Sequence, residues 1–265
     1  MSPADFLSLH GDVILVDVIE AKGSTPREVG AYMLVAHSAL WGTVGGGNLE
    51  FSAIDTARAM LGDGRTSETQ SFTLGPDTGQ CCGGRVSLSI RRVEGEVLDQ
   101  FKARLEREIR DYPDVYLFGA GHVGRALAAA LLPLPVNLTV IESRAEEFDH
   151  LDARVARRLL AMPEEAVSAI RPGGAAIILT HDHALDFLIA AEALMRDDLA
   201  YIGMIGSKTK RGVFASYLRD TGYGVDLIDR LVLPIGGKTV HDKRPAVIAA
   251  LTTAELLEIL FGGVQ

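Results

Sequence analysis

The chain has 265 residues, 48% of them apolar and 23% charged, with a formal net charge of −9. That length holds one large domain or two ordinary ones with real cores. The acidic excess speaks against nonspecific binding to nucleic acid or to an anionic membrane, because the whole-molecule field repels phosphate backbones. No stretch approaches the roughly 20 uninterrupted apolar residues that span a bilayer. The opening Met-Ser-Pro-Ala-Asp lacks the basic start of a secretory leader. A cytoplasmic location with both thiols reduced is therefore expected.

The apolar run over 13–19 and the segment 31–35 read as strands, separated by the turn-forming Gly23-Ser24-Thr25-Pro26-Arg27. After Gly45-Gly46-Gly47, apolar residues at helical spacing predict a helix over 48–61, stopped by Gly62-Asp63-Gly64. Residues 67–74 and 85–92 read as further strands, completing an α+β domain over 1–93. The stripe Leu98, Phe101, Leu105, Ile109 predicts an amphipathic linker helix within 94–113.

From 114 to 265 the pattern changes to short apolar strands alternating with helices. Strands are predicted at 115–118, 136–141, 175–179 and 200–205, with helices at 122–132, 164–170, 182–195 and 245–260. Continuous apolar strands covered by helices indicate a Rossmann-like, doubly wound parallel sheet. The fold class is thus α/β, with a small α+β domain preceding the Rossmann-like one.

Both cysteines lie side by side in Thr78-Gly79-Gln80-Cys81-Cys82-Gly83-Gly84. Bridging neighbours would demand strained geometry, and the pair is too close for a CxxC site. The segment reads either as a tight loop presenting soft sulfur beside backbone N–H groups, or as two small buried side chains in a turn.

Gly119-Ala120-Gly121-His122-Val123-Gly124 follows a strand and opens a helix, the context in which GxGxxG cradles a pyrophosphate at a helix N-terminus. Glu142, ending the next strand, is placed to meet ribose hydroxyls, and Arg144 to meet a phosphate. His181-Asp182-His183 follows the strand at 175–179. Two imidazoles with Asp186 form an incomplete metal set, whereas Asp182 is a natural N-cap and His181 a candidate acid–base group. Gly206-Ser207-Lys208 opens a further helix. Cations there, including Lys210 and Arg211, oppose the helix dipole unless an anion joins them.

Taken together, six segments resemble the xanthine dehydrogenase accessory factor family, XdhC/CoxI. In the first domain they are Glu20 to Arg27, Gly42 to Glu50 and Gly79 to Gly84. In the second they are Phe118 to Gly124, Thr180 to His183 and Tyr201 to Lys208. The chain departs from the family pattern at Lys243-Arg244-Pro245-Ala246, where an acidic helix start is missing. The resemblance implies a chaperone without turnover of its own. It would bind the molybdenum cofactor (molybdopterin), protect it, support its sulfuration and deliver it to a molybdenum hydroxylase apoenzyme such as xanthine dehydrogenase. A cysteine desulfurase as sulfur donor and a homodimeric state are implied with it.

Under that reading Gly45, Gly46, Gly47, Gly83 and Gly84 wrap the cofactor, with Gln80 beside them. Arg27 and Arg85 pair with its phosphate or oxo groups, and Cys81 or Cys82 is a metal ligand or persulfide relay. Gly119, Gly121, His122, Gly124, Glu142, His181, Gly206, Ser207 and Lys208 form the second binding region, for the cofactor, its dinucleotide form or NAD(P). The alternatives are an NAD(P)-dependent oxidoreductase, resting on GxGxxG, Glu142 and His181, and a thiol redox sensor using Cys81.

Overall fold

The computed structural model describes residues 1–75, 83–237 and 239–262. The chain divides into two compact units, Met1–Arg107 and Glu108–Gln265. The boundary falls inside the predicted linker helix, which runs Gly95–Asp111.

The first unit opens with α1 (Pro3–Leu9), started by a capping box in which Ser2 and Asp5 bond each other's backbone amides. Next come β1 (Ile14–Lys22), β2 (Tyr32–Val35), β3 (Leu40–Gly42), α2 (Gly47–Asp63), β4 (Ser67–Thr73), β5 (Arg85–Arg92) and α3 (Gly95–Asp111). The five strands pair antiparallel in the order β3-β2-β1-β5-β4. Strand periodicity sorts the apolar residues between two layers. Ile14, Val16, Val18, Met33 and Val35 face α2, whereas Leu15 and Leu34 share the other core with Phe6 of α1 and Phe101 of α3. Buried Asp17 is paired on that sheet by Arg91 at 3.0 Å and by Arg104 at 2.7 Å.

The second unit contains β6 (Asp114–Phe118), α4 (His122–Leu131), β7 (Asn137–Glu142), β8 (Ala156–Leu159), β9 (Ala175–Ile178), α5 (His183–Met195), β10 (Tyr201–Met204), α6 (Lys208–Asp220) and α7 (Pro245–Phe261). All pairings are parallel, in the order β10-β9-β6-β7-β8. The chain steps one way from β6 through β7 to β8, then crosses back to β9 and β10. The strand order therefore reverses between β6 and β9, and ligands of open α/β sheets bind beyond the strand ends at such a point. Phe118, Ile178 and Met204 pack against α5 and α6, while Leu117, Val140 and Ile177 face α4 and α7.

One expected element is refined here and one was missed. The segment predicted as a helix over 164–170 is a 3-10 helix, Pro163–Ala169, because Pro163 and a single apolar contact turn give it no stripe long enough to bury as an α-helix. The edge strand β8, Ala-Arg-Arg-Leu, was not anticipated, since its mostly exposed side chains carry no apolar signal. No helix among the described residues is long and apolar enough to cross a membrane.

Candidate functional site

In the first unit, three of the glycine-containing segments singled out above meet at one end of the sheet. Lys22, the last residue of β1, is paired with Arg85, the first of β5. There Gly23 turns with φ +74°, and a Cβ on it would lie 3.3 Å from the Gly84 Cα. A Cβ on Gly84 would lie 2.5 Å from the carbonyl oxygens of both Lys22 and Ser24. On the far side of the same turn, a Cβ on Gly45 would lie 2.5 Å from the Pro26 ring. The 23–27 turn is thus held between the Gly84 backbone and the Gly45 loop, at distances only glycine permits.

Gly45, Gly46 and Gly47 all take positive φ, at +133°, +75° and +63°. They form the entry to α2, whose N-cap, Gly46, offers no side chain. Glu50 does the capping from inside the first turn. Its carboxylate accepts from the Thr43 hydroxyl, from the Val44 amide at 3.0 Å and from the Gly46 amide at 3.1 Å. Partial burial pushes the Glu50 carboxyl up. The bonds from Thr43, Gly46 and Val44 outweigh that and hold it below its ordinary value. Glu50 is a part of the site that residue-level reading passed over, although it closes the quoted Gly42 to Glu50 segment.

Arg27 and Arg85 are exposed at this end of the sheet, and neither forms an ion pair among the described residues. Gly83 is exposed, with open space where a Cβ would be. Gln80, Cys81 and Cys82 lie outside the described residues, and with them the anticipated metal ligands. Among the described residues no group of three metal-binding side chains occurs.

In the second unit, a cavity of about 260 Å³ opens at the point where the strand order reverses. Gly121 and His122 line it from the start of α4, Glu142 and Arg144 from the end of β7, and Thr180 and His181 from beyond β9. The three glycines of the turn divide their labour. A Cβ on Gly119 would overlap the Leu179 carbonyl, and one on Gly124 would overlap the Gly119 carbonyl. Gly121, with φ −65°, faces open space. Gly119 and Gly124 therefore shape the turn, and Gly121 leaves room for a ligand.

Glu142 is buried, 4% exposed, and its carboxylate is occupied. It accepts from the Ala120 amide at 3.0 Å, from the Ser143 amide at 2.9 Å and from the Arg144 amide at 3.2 Å. Burial alone would raise the Glu142 carboxyl. The Ala120 amide and the Arg144 guanidinium reverse that and hold it low. Arg144 also meets Glu147 at 3.1 Å. Glu142 thus stabilises the glycine turn from below, and Arg144 is held beside the cavity by two carboxylates.

Asp182 is the N-cap of α5, accepting from the Ala184 amide at 2.7 Å, while His181 and His183 are exposed. Asp186, considered above as a third ligand beside the histidines, is instead buried beneath Lys210 and forms an ion pair with it. Two of the three cations at the start of α6 are likewise accounted for within the chain. Lys210 turns inward, and Arg211 donates to the carbonyls of Leu231 and Ile228, both at 2.9 Å. Ser207 caps α6 through the Lys210 amide, Gly206 packs against the Lys210 stem, and Lys208 is exposed. Lys210 and Asp186 are separated by 24 residues, and no spacing signal in the sequence joins them.

Residues 115–256 match the family described as the XdhC Rossmann domain, and residues 7–73 match the XdhC and CoxI family. The chain is 27% identical over 256 residues to the uncharacterized protein YqeB of Escherichia coli (strain K12), covering 92% of this chain and 43% of that protein. It thus spans less than half the length of this curated relative. Among solved structures it is similar to a protein described as a xanthine dehydrogenase from Bacillus halodurans. The TM-score is 0.79 at 19% identity, with 100% of this chain and 97% of that one covered, a likeness of fold.

Proposed function

Because the chain belongs to the XdhC and CoxI family, we propose that it is a maturation factor for a molybdenum hydroxylase, carrying the molybdenum cofactor as cargo. The observation that supports this most is the convergence of the 23–27 turn, the Gly45 loop and Gly84 at one end of the first sheet. The contacts require glycine at Gly84 and Gly45, which fixes the three segments as one tightly packed edge beside Arg27 and Arg85. Arg27 and Arg85, exposed and without ion pairs among the described residues, suit the phosphate and the oxo groups of such a cargo. The Val44 and Gly46 amides already serve Glu50, so the Gly45 loop contributes close approach and shape, and the guanidinium groups contribute the charge.

Cys81 and Cys82, joining β4 to the Gly83-Gly84 edge, are assigned the sulfur chemistry by their softness. They would act as ligands to molybdenum or as carriers of persulfide from a cysteine desulfurase. In this reading the chain releases its cargo to the apoenzyme and turns over nothing. The cavity of about 260 Å³ favours, in addition, nucleotide binding in the second unit, either of a dinucleotide form of the cofactor or of NAD(P).

Anaerobic incubation with molybdenum cofactor, gel filtration and assay of protein-bound pterin test the proposal. Wild type should retain pterin, and Arg27→Ala, Cys81→Ala or Cys82→Ala should lower the amount retained. Absence of retained pterin in wild type would overturn the cargo reading. NAD(P) binding with dehydrogenase turnover would establish the oxidoreductase in its place.

A further inference from the structure

A cavity in the second unit larger than that at the glycine turn, of about 390 Å³, lies beside β10, and apart from Gly206 and Lys208 its lining belongs to neither reading above. Ile205, Pro234, Ile235, Val240, Ile248 and Leu251 supply apolar walls. Lys208, His241 and Lys243 also line it, and none of the three forms an ion pair among the described residues. Among its described lining residues the one acid, Asp242, is already engaged by Arg244, with contacts of 2.5 and 2.9 Å. On a chain of net charge −9, this cavity therefore carries surplus positive charge.

The floor is built to hold its shape. Gly236, at φ +78°, packs so close to α7 that a Cβ would lie 3.3 Å from Leu251 and from Thr252. Its amide donates to Glu255 at 3.0 Å, and the same carboxylate accepts from the buried Tyr201 hydroxyl at 3.1 Å. Burial, with Glu255 beside it, holds the Tyr201 hydroxyl far above its ordinary value, so it stays a donor. The turn that forms the floor is thereby tied to β10 and α7 together.

We propose that this cavity binds a phosphate-bearing heterocycle of nucleoside monophosphate size. Apolar walls suit the faces of a planar ring, and a volume of a few hundred Å³ is that of a small-molecule pocket. The point charges of Lys208 and Lys243 suit a phosphate dianion. The same residues explain why Lys208 faces outward at a helix N-terminus when Lys210 and Arg211 beside it are tied within the chain. The inference shares Gly206 and Lys208 with the second binding region anticipated from the sequence, and it is independent of the cargo site in the first unit.

Titration calorimetry of the full chain with CMP and AMP tests it, with cytidine, adenosine and inorganic phosphate as comparison ligands. A nucleoside monophosphate should bind, and its unphosphorylated nucleoside should bind about tenfold more weakly or not at all. Lys208→Ala and Lys243→Ala should each weaken binding several-fold, with folding checked by circular dichroism. Arg154→Ala, an exposed cation outside the linings of both cavities, should leave it unchanged. The proposal is overturned if neither nucleotide binds at millimolar concentration, if inorganic phosphate alone accounts for the heat, or if binding is lost in Arg144→Ala and kept in both lysine variants. Pterin retention is read separately, so either proposal can fail alone.

Discussion

Asp186 on α5 and Lys210 on α6 form a buried ion pair that joins the loops following two neighbouring strands of the parallel sheet. The carboxylate also accepts from the Thr180 amide at 3.0 Å and hydroxyl at 2.7 Å, fixing the segment after β9. The ammonium donates to the Ile205 carbonyl at 3.0 Å, fixing the segment after β10. Ile205 lines both of the cavities described above, so the pair sets the positions of their walls without itself lining either.

Lys210→Met should therefore destabilise the second unit by about 3–5 kcal/mol, the cost of leaving one member of a buried pair uncompensated. Asp186→Asn combined with Lys210→Met should recover a large part of that loss, because no buried charge remains. Urea denaturation followed by far-UV circular dichroism reads both. Equal stability of wild type and the single variant would show that water reaches the pair.

Gly84 and Gly83 are neighbours with opposite surroundings, and the pair makes an internal control. Gly84→Ala must push Lys22 and Ser24 away, which should displace the 23–27 turn, reduce stability by a few kcal/mol (about 1–3, as for overpacking) and abolish pterin retention. Gly83→Ala meets nothing within 4 Å among the described residues and should leave stability intact. Trp41, the chain's single tryptophan, lies in the first unit, so its fluorescence reports the transition. A Gly84→Ala protein unfolding with wild-type midpoint would remove the argument for close approach.

Most regular elements were legible because their apolar residues repeat with the period of the element that buries them. Val115 to Phe118 and Ala175 to Leu179 are continuous apolar runs, and both are central strands buried on two faces. The glycine turn and its Asp182 and Ser207 neighbours were legible for a related reason, since helix starts are written in local chemistry. The helix α1 was not anticipated, although Ser2 and Asp5 form a capping box at its start. What the sequence did not disclose were partnerships between distant residues. Glu142, read from the sequence as a partner for a ribose, also serves the Ala120 amide 22 positions away. Lys210 was expected to call for an anion from outside, and Asp186 supplies that anion from within.

The glycine turn of the second unit yields a sharper separation of structure from binding. Gly119→Ala and Gly124→Ala each place a methyl on a carbonyl oxygen and should unfold or markedly destabilise the unit. Gly121→Ala, at φ −65° and facing open space, should fold with an unchanged midpoint. The added methyl would stand where a pyrophosphate approaches the backbone. Gly121→Ala should therefore weaken nucleotide binding selectively in the smaller cavity. Unaltered binding there would mean the ligand does not contact the turn.

The buried carboxylates set how the protein responds to acid. Burial pushes the Glu142 carboxyl up, but the Ala120 amide and Arg144 bring it below its ordinary 4.5, and Asp114 is likewise held low by Arg171 against its own burial. In each case the unfolded chain binds the proton more readily than the folded one. Stability therefore rises with pH through this window. The contribution is fully present above the ordinary value and is lost as pH falls through the lower, folded one. Wild type should thus lose stability progressively below about pH 4.5. Glu142→Gln should be less stable than wild type at neutral pH, because it surrenders the charged bonds to Ala120 and Arg144. It should approach wild type as the pH falls through the lowered value at which Glu142 takes up its proton. Urea midpoints measured from pH 7 to pH 3 for both proteins should converge on acidification. Parallel curves would show that Glu142 carries no linked proton.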